Sequence, residues 1–207
     1  MKVLIADDHP IVRKGIVQLL KDAFPKIKTE EVSSGIEAVK RINREIWDLI
    51  ILDISMPGRN GIDVLKHARN SGVKTPILIL SMQAEEHYAL RTLKAGASGY
   101  VSKESAGEEL VKAVEKVMLG KKYISPKVTE ILAENLGEEP EVIHEKLSDR
   151  EMEVMMLIAS GKKVSDIAAE LNLSVSTVST YRLRILEKLH LQNNAEIVRY
   201  VFENGMA

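Results

Sequence analysis

The chain has 207 residues, 45% of them hydrophobic and 29% charged, with a formal net charge of −1; this is an ordinary balance for one or two globular domains and gives no overall basic character pointing to nucleic acid. Cysteine is absent, which excludes disulfides and thiolate metal sites and fits a reducing compartment. No apolar run is long enough to cross a bilayer, and Met1–Ala6 runs straight into Asp7 and Asp8 rather than forming a signal peptide, so the expected location is cytoplasmic, with no membrane partner.

Lys2–Ala6 predicts a first strand, and Asp7-Asp8-His9-Pro10 turns into a helix whose first turn Pro10 suits. Ile11, Gly15, Val17, Leu19, Leu20 and Phe24 follow at helical spacing until Pro25. Ile27–Val32 reads as a second strand, and Ser33 or Ser34 can cap a helix carrying Ile36, Val39, Ile42 and Ile46. Trp47 reads as a rim packing residue. The four aliphatic residues Leu49–Leu52 predict a strand buried on both faces, and Asp53 ends it; Pro57 and Gly58 then break the chain. Gly61–Arg69 predicts a helix, Pro76–Leu80 a fourth strand, Glu85–Lys94 a helix and Ser98–Val101 a fifth strand. Ala106–Leu119 closes the series as a helix with Val111, Val114, Val117 and Met118 on its apolar face.

Five strands alternating with five helices predict an α/β, doubly wound parallel sheet. The Gly-x-Gly-x-x-Gly loop is absent after the first strand, where acids stand instead, which disfavours nucleotide binding there. In such a sheet the carboxyl ends of the strands converge. That edge would gather Asp7 and Asp8 after the first strand, Asp53 at the end of the third, Ser81 after the fourth and Lys103 after the fifth. Asp53 alone reads equally well as a helix cap. Crowded carboxylates call for a cation, and clustered oxygens in a wet cleft suit Mg²⁺. A carboxylate so placed can accept a phosphoryl group, with the ammonium and the hydroxyl on its oxygens. The histidines, His9, His67, His87, His144 and His190, show no metal-ligand spacing.

The acidic pair, Asp53, Met56-Pro57-Gly58, Ser81 and Tyr100-x-x-Lys103 give residues 1–120 a resemblance to a response-regulator receiver domain. The resemblance implies Asp53 as phosphoacceptor and Mg²⁺ held by Asp7, Asp8, Asp53 and the Ser55 carbonyl. It implies Ser81 and Lys103 as phosphoryl ligands and Tyr100 as an aromatic switch that follows Ser81. Ser55 and Gln83 sit where the family tunes dephosphorylation.

Residues 121–145 read as a linker, with a short helix over Lys127–Leu136 and an acidic Gly137–Glu141 stretch holding Gly and Pro. Residues 146–207 predict four helices. Ser148 and Glu151 form a capping box for the first, Ser165 caps the second and Asn194 the fourth. In the first helix Val154, Met155, Leu157 and Ile158 point inward; in the fourth Ile197, Val198, Val201 and Phe202 are the apolar positions. A short helix, the Asn172-Leu173-Ser174 turn and a longer helix over Val175–Leu189 read as helix-turn-helix, although an ordinary helical bundle fits the same pattern. Ser176, Thr177, Ser179, Thr180, Arg182, Arg184 and Lys188 are the candidate DNA-binding residues. Residues 147–207 hold seven basic against eight acidic side chains. Intrinsic affinity for DNA should therefore be modest and strengthened by dimerisation.

Leu147-Ser148-x-Arg150-Glu151, Gly161 with Ile167-Ala168, and Leu173-Ser174-x-x-Thr177-Val178 resemble the LuxR-type helix-turn-helix. Joined to a receiver, the chain resembles the NarL/FixJ family of response regulators. That resemblance implies a phosphorylation-controlled transcription regulator. Its expected partners are a histidine kinase, double-stranded DNA and a second copy on DNA, with RNA polymerase a candidate. It puts Leu183 on the recognition face too, and Ser179 and Tyr181 stand where the family often has Lys and His. Beyond catalysing its own phosphorylation and dephosphorylation the chain is not expected to be an enzyme. Two rival readings are a Mg²⁺-dependent phosphotransferase or phosphatase with Asp53 as covalent intermediate, and a phosphorylation-independent DNA-binding or adaptor protein.

Overall fold

The computed structural model describes residues 1–82, 85–134, 146–204 and 206. The chain divides into two units, Met1–Glu134 and Asn135–Ala207. The first contains β1 (Lys2–Ala6), α1 (Pro10–Ala23), β2 (Lys28–Val32), α2 (Gly35–Arg44), β3 (Leu49–Leu52), α3 (Gly61–Asn70), β4 (Ile77–Ser81), α4 (Glu85–Lys94), β5 (Gly99–Ser102), α5 (Ala106–Met118) and α6 (Pro126–Glu134). All strand pairings are parallel, in the order β2-β1-β3-β4-β5. The doubly wound sheet expected from the sequence is the one observed.

Alternation along the strands divides the core. Val3 and Ile5, Leu49 and Ile51, Leu78 and Leu80, and Val101 face one way, onto Ile16 and Leu20 of α1 and Leu110, Ala113, Val114 and Val117 of α5. Leu4, Ile50, Leu52, Ile77, Ile79 and Tyr100 are as fully buried and point to the opposite face. Strands buried on both sides explain the unbroken aliphatic runs.

The helical faces differ in detail from the periodicity. In α2 the buried residues are Gly35, Ala38 and Ile42, while Ile36 is half exposed and Ile46 lies past the helix end and is 90% exposed. Trp47 takes the inward position instead, 3% exposed, its indole N–H donating to the Arg41 carbonyl at 3.2 Å, so it belongs to the core rather than the rim. In α5 the inward face runs through Leu110, Ala113, Val114 and Val117, and Met118 is 40% exposed. The small Ala113 lets α5 lie close to the sheet, and the stripe rotates accordingly.

Residues 121–134 stay with the first unit. Tyr123 bridges to Gly99, its N–H donating to the Ser98 carbonyl at 2.8 Å. The Ser125 hydroxyl donates to Glu85 Oε2 at 2.7 Å, and α6 packs on α4 with Val128 buried. Burial, with Glu109 and Glu85 nearby, pushes the Tyr123 phenol up to about 12. The Gly137–Glu141 stretch lies outside the described residues.

The second unit contains α7 (Asp149–Ala159), α8 (Val164–Glu170), α9 (Val175–Leu189) and α10 (Asn194–Glu203). The capping box is present: Ser148 Oγ accepts from the Glu151 N–H, and the Glu151 carboxylate accepts from the Ser148 N–H at 2.6 Å. Val154, Met155 and Ile158 are buried, Leu157 only partly. Two caps differ from expectation. Lys163 precedes α8, which places Ser165 inside the helix, and Asn193 rather than Asn194 caps α10, accepting from the Glu196 N–H at 3.1 Å. Asn193 has the extended backbone a cap requires, and the Asn194 side chain is engaged elsewhere. Ile197 and Val201 are the buried residues of α10, and Phe202 is 65% exposed. No helix among the described residues is long and apolar enough to cross a membrane.

Glu151 also accepts from Lys188 Nζ at 2.6 Å. Burial would raise this carboxyl, but the ammonium and the Ser148 contacts outweigh it and hold it below its ordinary value of 4.5. A depressed carboxyl contributes stability above its unfolded pKa and loses it as pH falls through the folded one. Glu151→Gln should therefore speed hydrogen exchange of the α7 amides in the full chain near pH 7. The difference from wild type should vanish well below pH 4.5. An equal difference at both pH values would remove the pair from this role.

Candidate functional site

The carboxyl edge of the sheet gathers the predicted groups. The Asp7 N–H donates to Val32 O (3.2 Å) and the Asp53 N–H to Ala6 O (2.8 Å), so the backbone ladder carries both carboxylates to the same edge. Asp7 is 1% exposed, Asp53 2% and Ser81 0%. Lys103 reaches in from beyond β5, its own N–H bonded to the Ser81 carbonyl at 2.9 Å. Its ammonium lies 2.6 Å from Asp53 Oδ2 and 2.8 Å from Asp7 Oδ2. The Ser55 N–H reaches Asp53 Oδ1 weakly, at 3.4 Å. Tyr100 is buried on β5, level with Ile79. Gln83 lies outside the described residues.

Two glycines hold this edge in place. Gly58 has φ +81, a left-handed conformation that turns the chain after Pro57. Gly61 starts α3 so close to the end of β3 that a Cβ there would stand 2.0 Å from the Asp53 carbonyl oxygen.

Burial raises the Asp53 carboxyl to about 6, with Asp7 adding to the rise and Lys103 opposing it. Burial would lower the Lys103 ammonium, but Asp53 and Asp7 outweigh it and keep it raised. The pair is thus a carboxylate short of countercharge beside a lysine firmly charged. Among the described residues Lys103 is the one lysine at this edge, set against Asp7 and Asp53, with Asp8 beside them. Three carboxylates facing one ammonium are a donor set that fits a divalent cation taking oxygen ligands. Sequence spacing missed one member of the cluster. His9 lies beside it, and Asp7, Asp8, His9 and Asp53 each bring one ligand atom within 4.8 Å of the others. The signal was only that His9 directly follows the acidic pair.

On the second unit, α9 begins at Ser174, whose Oγ accepts from the Thr177 N–H at 3.0 Å. Ser176, Thr177, Thr180, Tyr181 and Arg184 line a groove of about 320 Å³. Tyr181 thus joins the predicted set, while Ser179 is half-buried beside it. Thr180 Oγ1 donates back to the Ser176 carbonyl at 3.0 Å. Two predicted cations are engaged within the unit. Arg182 Nε donates to Asn194 Oδ1, and Lys188 Nζ to Glu151 and to the Lys146 carbonyl. Among the described residues Arg184 has no ion-pair partner, and it is exposed. Leu183 is 54% exposed.

Sheet order, acidic edge and helix-turn-helix put the molecule in the class of two-component response regulators. Residues 3–115 match the response regulator receiver domain, and residues 145–201 match the luxR family of bacterial regulatory proteins. The chain is 33% identical over 208 residues to the response regulator UvrY of Escherichia coli K12, covering 100% of this chain and 95% of UvrY. It is 35% identical over 214 residues to the oxygen regulatory protein NreC of Staphylococcus carnosus, covering 100% and 99%. The solved structure of RcsB from Salmonella typhimurium is similar at TM-score 0.60 and 29% identity, over 97% of each chain. RcsB has also been solved as a DNA complex, with the same score, identity and coverage. The chain belongs to the NarL/FixJ family of response regulators, which carry a LuxR-type DNA-binding domain behind a receiver.

Proposed function

We propose that Asp53 is phosphorylated by a histidine kinase and that this controls binding of the second unit to double-stranded DNA in the cytoplasm. The observation that carries the reading is the buried Asp53 carboxylate held 2.6 Å from the Lys103 ammonium at a carboxylate-rich strand edge. An Asp53 oxygen attacks phosphorus, the bond to the donor's imidazole nitrogen breaks, and a mixed anhydride remains. Lys103 neutralises a phosphoryl oxygen and the Ser81 hydroxyl bonds another. Mg²⁺, held by Asp7, Asp8, Asp53 and the Ser55 carbonyl, would supply charge neutralisation at the remaining oxygens. Tyr100 follows Ser81 when that hydroxyl moves. The added charge draws Ser81 and Lys103 inward and shifts α4.

The DNA contacts fall to the hydroxyls Ser176, Thr177, Ser179 and Thr180 at the N-terminal half of α9, and to Arg184. Helix N–H groups and short hydroxyls bind phosphate, and Arg reads guanine or backbone. Arg182 and Lys188 reach DNA only by leaving Asn194 and Glu151. Two copies bound together on DNA raise effective concentration. RNA polymerase remains a candidate partner of the DNA-bound form. Self-phosphorylation and its reversal are the only catalysis in this reading.

The test is to incubate the full chain with acetyl phosphate and Mg²⁺, weigh it intact, and measure binding to a random-sequence duplex library. Wild type should gain a base-labile phosphoryl mass on the Asp53 peptide and bind more DNA. Asp53→Ala should do neither. A mass gain that survives Asp53→Ala, or DNA binding indifferent to it, overturns the reading.

A further inference from the structure

We propose that His9 is a nitrogen ligand of the acidic pocket, so that the pocket takes borderline divalent ions such as Co²⁺, Ni²⁺ or Zn²⁺ ahead of Mg²⁺. This rests on reading Asp7, Asp8 and Asp53 as a cation site. His9 Nδ1 lies 2.8 Å from Asp8 Oδ1, 3.3 Å from Asp7 Oδ1 and 4.0 Å from Asp53 Oδ2. Ligands at bond lengths near ~2.1 Å around one octahedral ion stand about 3 Å apart when adjacent and about 4 Å apart when opposite. The imidazole nitrogen is therefore spaced from three carboxylates as a co-ligand would be.

The local backbone supports that position. His9 is the residue before α1, with φ −87 and ψ 106, yet its side chain does not cap the helix. Its N–H is instead bonded to Asp7 Oδ1 at 2.7 Å, and Pro10 fixes the next turn. The ring is thus left to the pocket while the main chain is tied to it. Its side chain is 57% exposed, which leaves room for the small shift that bonding to an ion requires. Lys103 balances the carboxylates from the other side, on Asp53 and Asp7.

The chemistry follows from donor type. An all-oxygen site suits Mg²⁺, which retains water and gains nothing from imidazole. One imidazole among carboxylates moves the preference along the Irving–Williams order, toward cobalt, nickel and zinc. A pocket of three carboxylates without the ring would show that order only weakly. The ring's contribution is therefore read as a difference between metals in one variant, not as an absolute affinity.

The experiment uses the full chain with each metal alone. Calorimetry gives affinities for Mg²⁺ and Ni²⁺, and the electron spin echo of bound Mn²⁺ shows whether a nitrogen is coordinated. In wild type the echo should carry nitrogen modulation, and Mg²⁺ should displace the Mn²⁺. His9→Ala should abolish the modulation and weaken Ni²⁺ by about tenfold or more while changing Mg²⁺ by less than about threefold. Asp53→Asn should weaken every metal, which confirms the pocket. If Asp53→Asn weakens Mg²⁺ but His9→Ala leaves the modulation and the Ni²⁺ affinity intact, the nitrogen ligand is overturned and the cation site stands. If Asp53→Asn leaves metal binding unchanged, the ions sit elsewhere and both readings fall. A tenfold loss of Mg²⁺ with His9→Ala would also overturn the proposal, since it would mark the ring as a support for the site and not as a selective donor.

Discussion

Gly61→Ala destabilises the first unit by about 2 kcal/mol or more, enough to lower the folded fraction at physiological temperature. A Cβ at residue 61 would lie 2.0 Å from the Asp53 carbonyl oxygen and 3.0 Å from the Ile54 Cα. Both are backbone, and the Gly61 N–H already bonds to the Ile54 carbonyl at 2.8 Å, so neither side can give way without breaking the loop. Alanine gains about 1 kcal/mol in helix propensity, and the overlap costs more. Gly15→Ala supplies the control. Gly15 lies inside α1 with nothing within 4 Å of its added Cβ. That substitution should stabilise by about 0.5–1 kcal/mol. Urea unfolding followed by the single tryptophan, Trp47, reads both, since Trp47 is 3% exposed in the first unit. If Gly61→Ala matched Gly15→Ala, the close approach would be wrong.

Asp53→Asn should stabilise the cation-free protein at neutral pH. The Asp53 carboxyl is raised from 3.8 to about 6, chiefly by burial. A raised carboxyl favours folding while protonated, so its contribution is fully present below pH 3.8 and is lost as pH rises through about 6. The cost of holding the carboxylate at neutral pH is then about 3 kcal/mol. In a chelator, wild type should lose stability between pH 4 and 7, after allowance for other groups, and Asp53→Asn should lose about that much less. The same Trp47 signal measures it. Adding a divalent cation should restore wild type and leave the variant little changed, because the ion supplies the missing countercharge. Parallel pH profiles for the two proteins would sink this account.

Most of the fold could be read from residues, because its strands are buried on both faces and announce themselves as aliphatic runs between turn signals. The site residues were placed at strand ends by topology alone, and Asp7, Asp53, Ser81 and Lys103 do sit there. What escaped is what depends on which side of a helix turns inward, and on who bonds to whom. In α2 the apolar residues Ile36 and Ile46 suggest one stripe, but Ala38 and Ile42 turn inward beside Gly35, where a Cβ would stand 2.0 Å from the Arg59 carbonyl oxygen. Asn193 and Asn194 are adjacent and chemically identical, and only backbone conformation decides which caps. Arg182 and Lys188 look like DNA ligands in sequence, and their contacts to Asn194 and Glu151 arise between helices far apart in the chain. The place of His9 in the cluster could not be recognised from ligand spacing, because its neighbours there come from two strand ends 46 residues apart, Asp7 and Asp53.

The bridge from Tyr123 to Gly99 has a consequence for how copies of the chain meet. A sheet margin with free backbone groups invites a neighbour's strand and, beyond it, fibrils. On the β5 margin Tyr123 and the segment leading to α6 occupy part of that invitation. The opposite margin, β2, reads Lys28-Thr29-Glu30-Glu31, with Glu30 and Glu31 paired to Arg41 and Arg13 of the same chain, and such charged side chains blunt an edge against a neighbour's strand. One border is thus partly covered by its own chain and the other studded with ion pairs, so neither offers a bare strand to a neighbouring sheet.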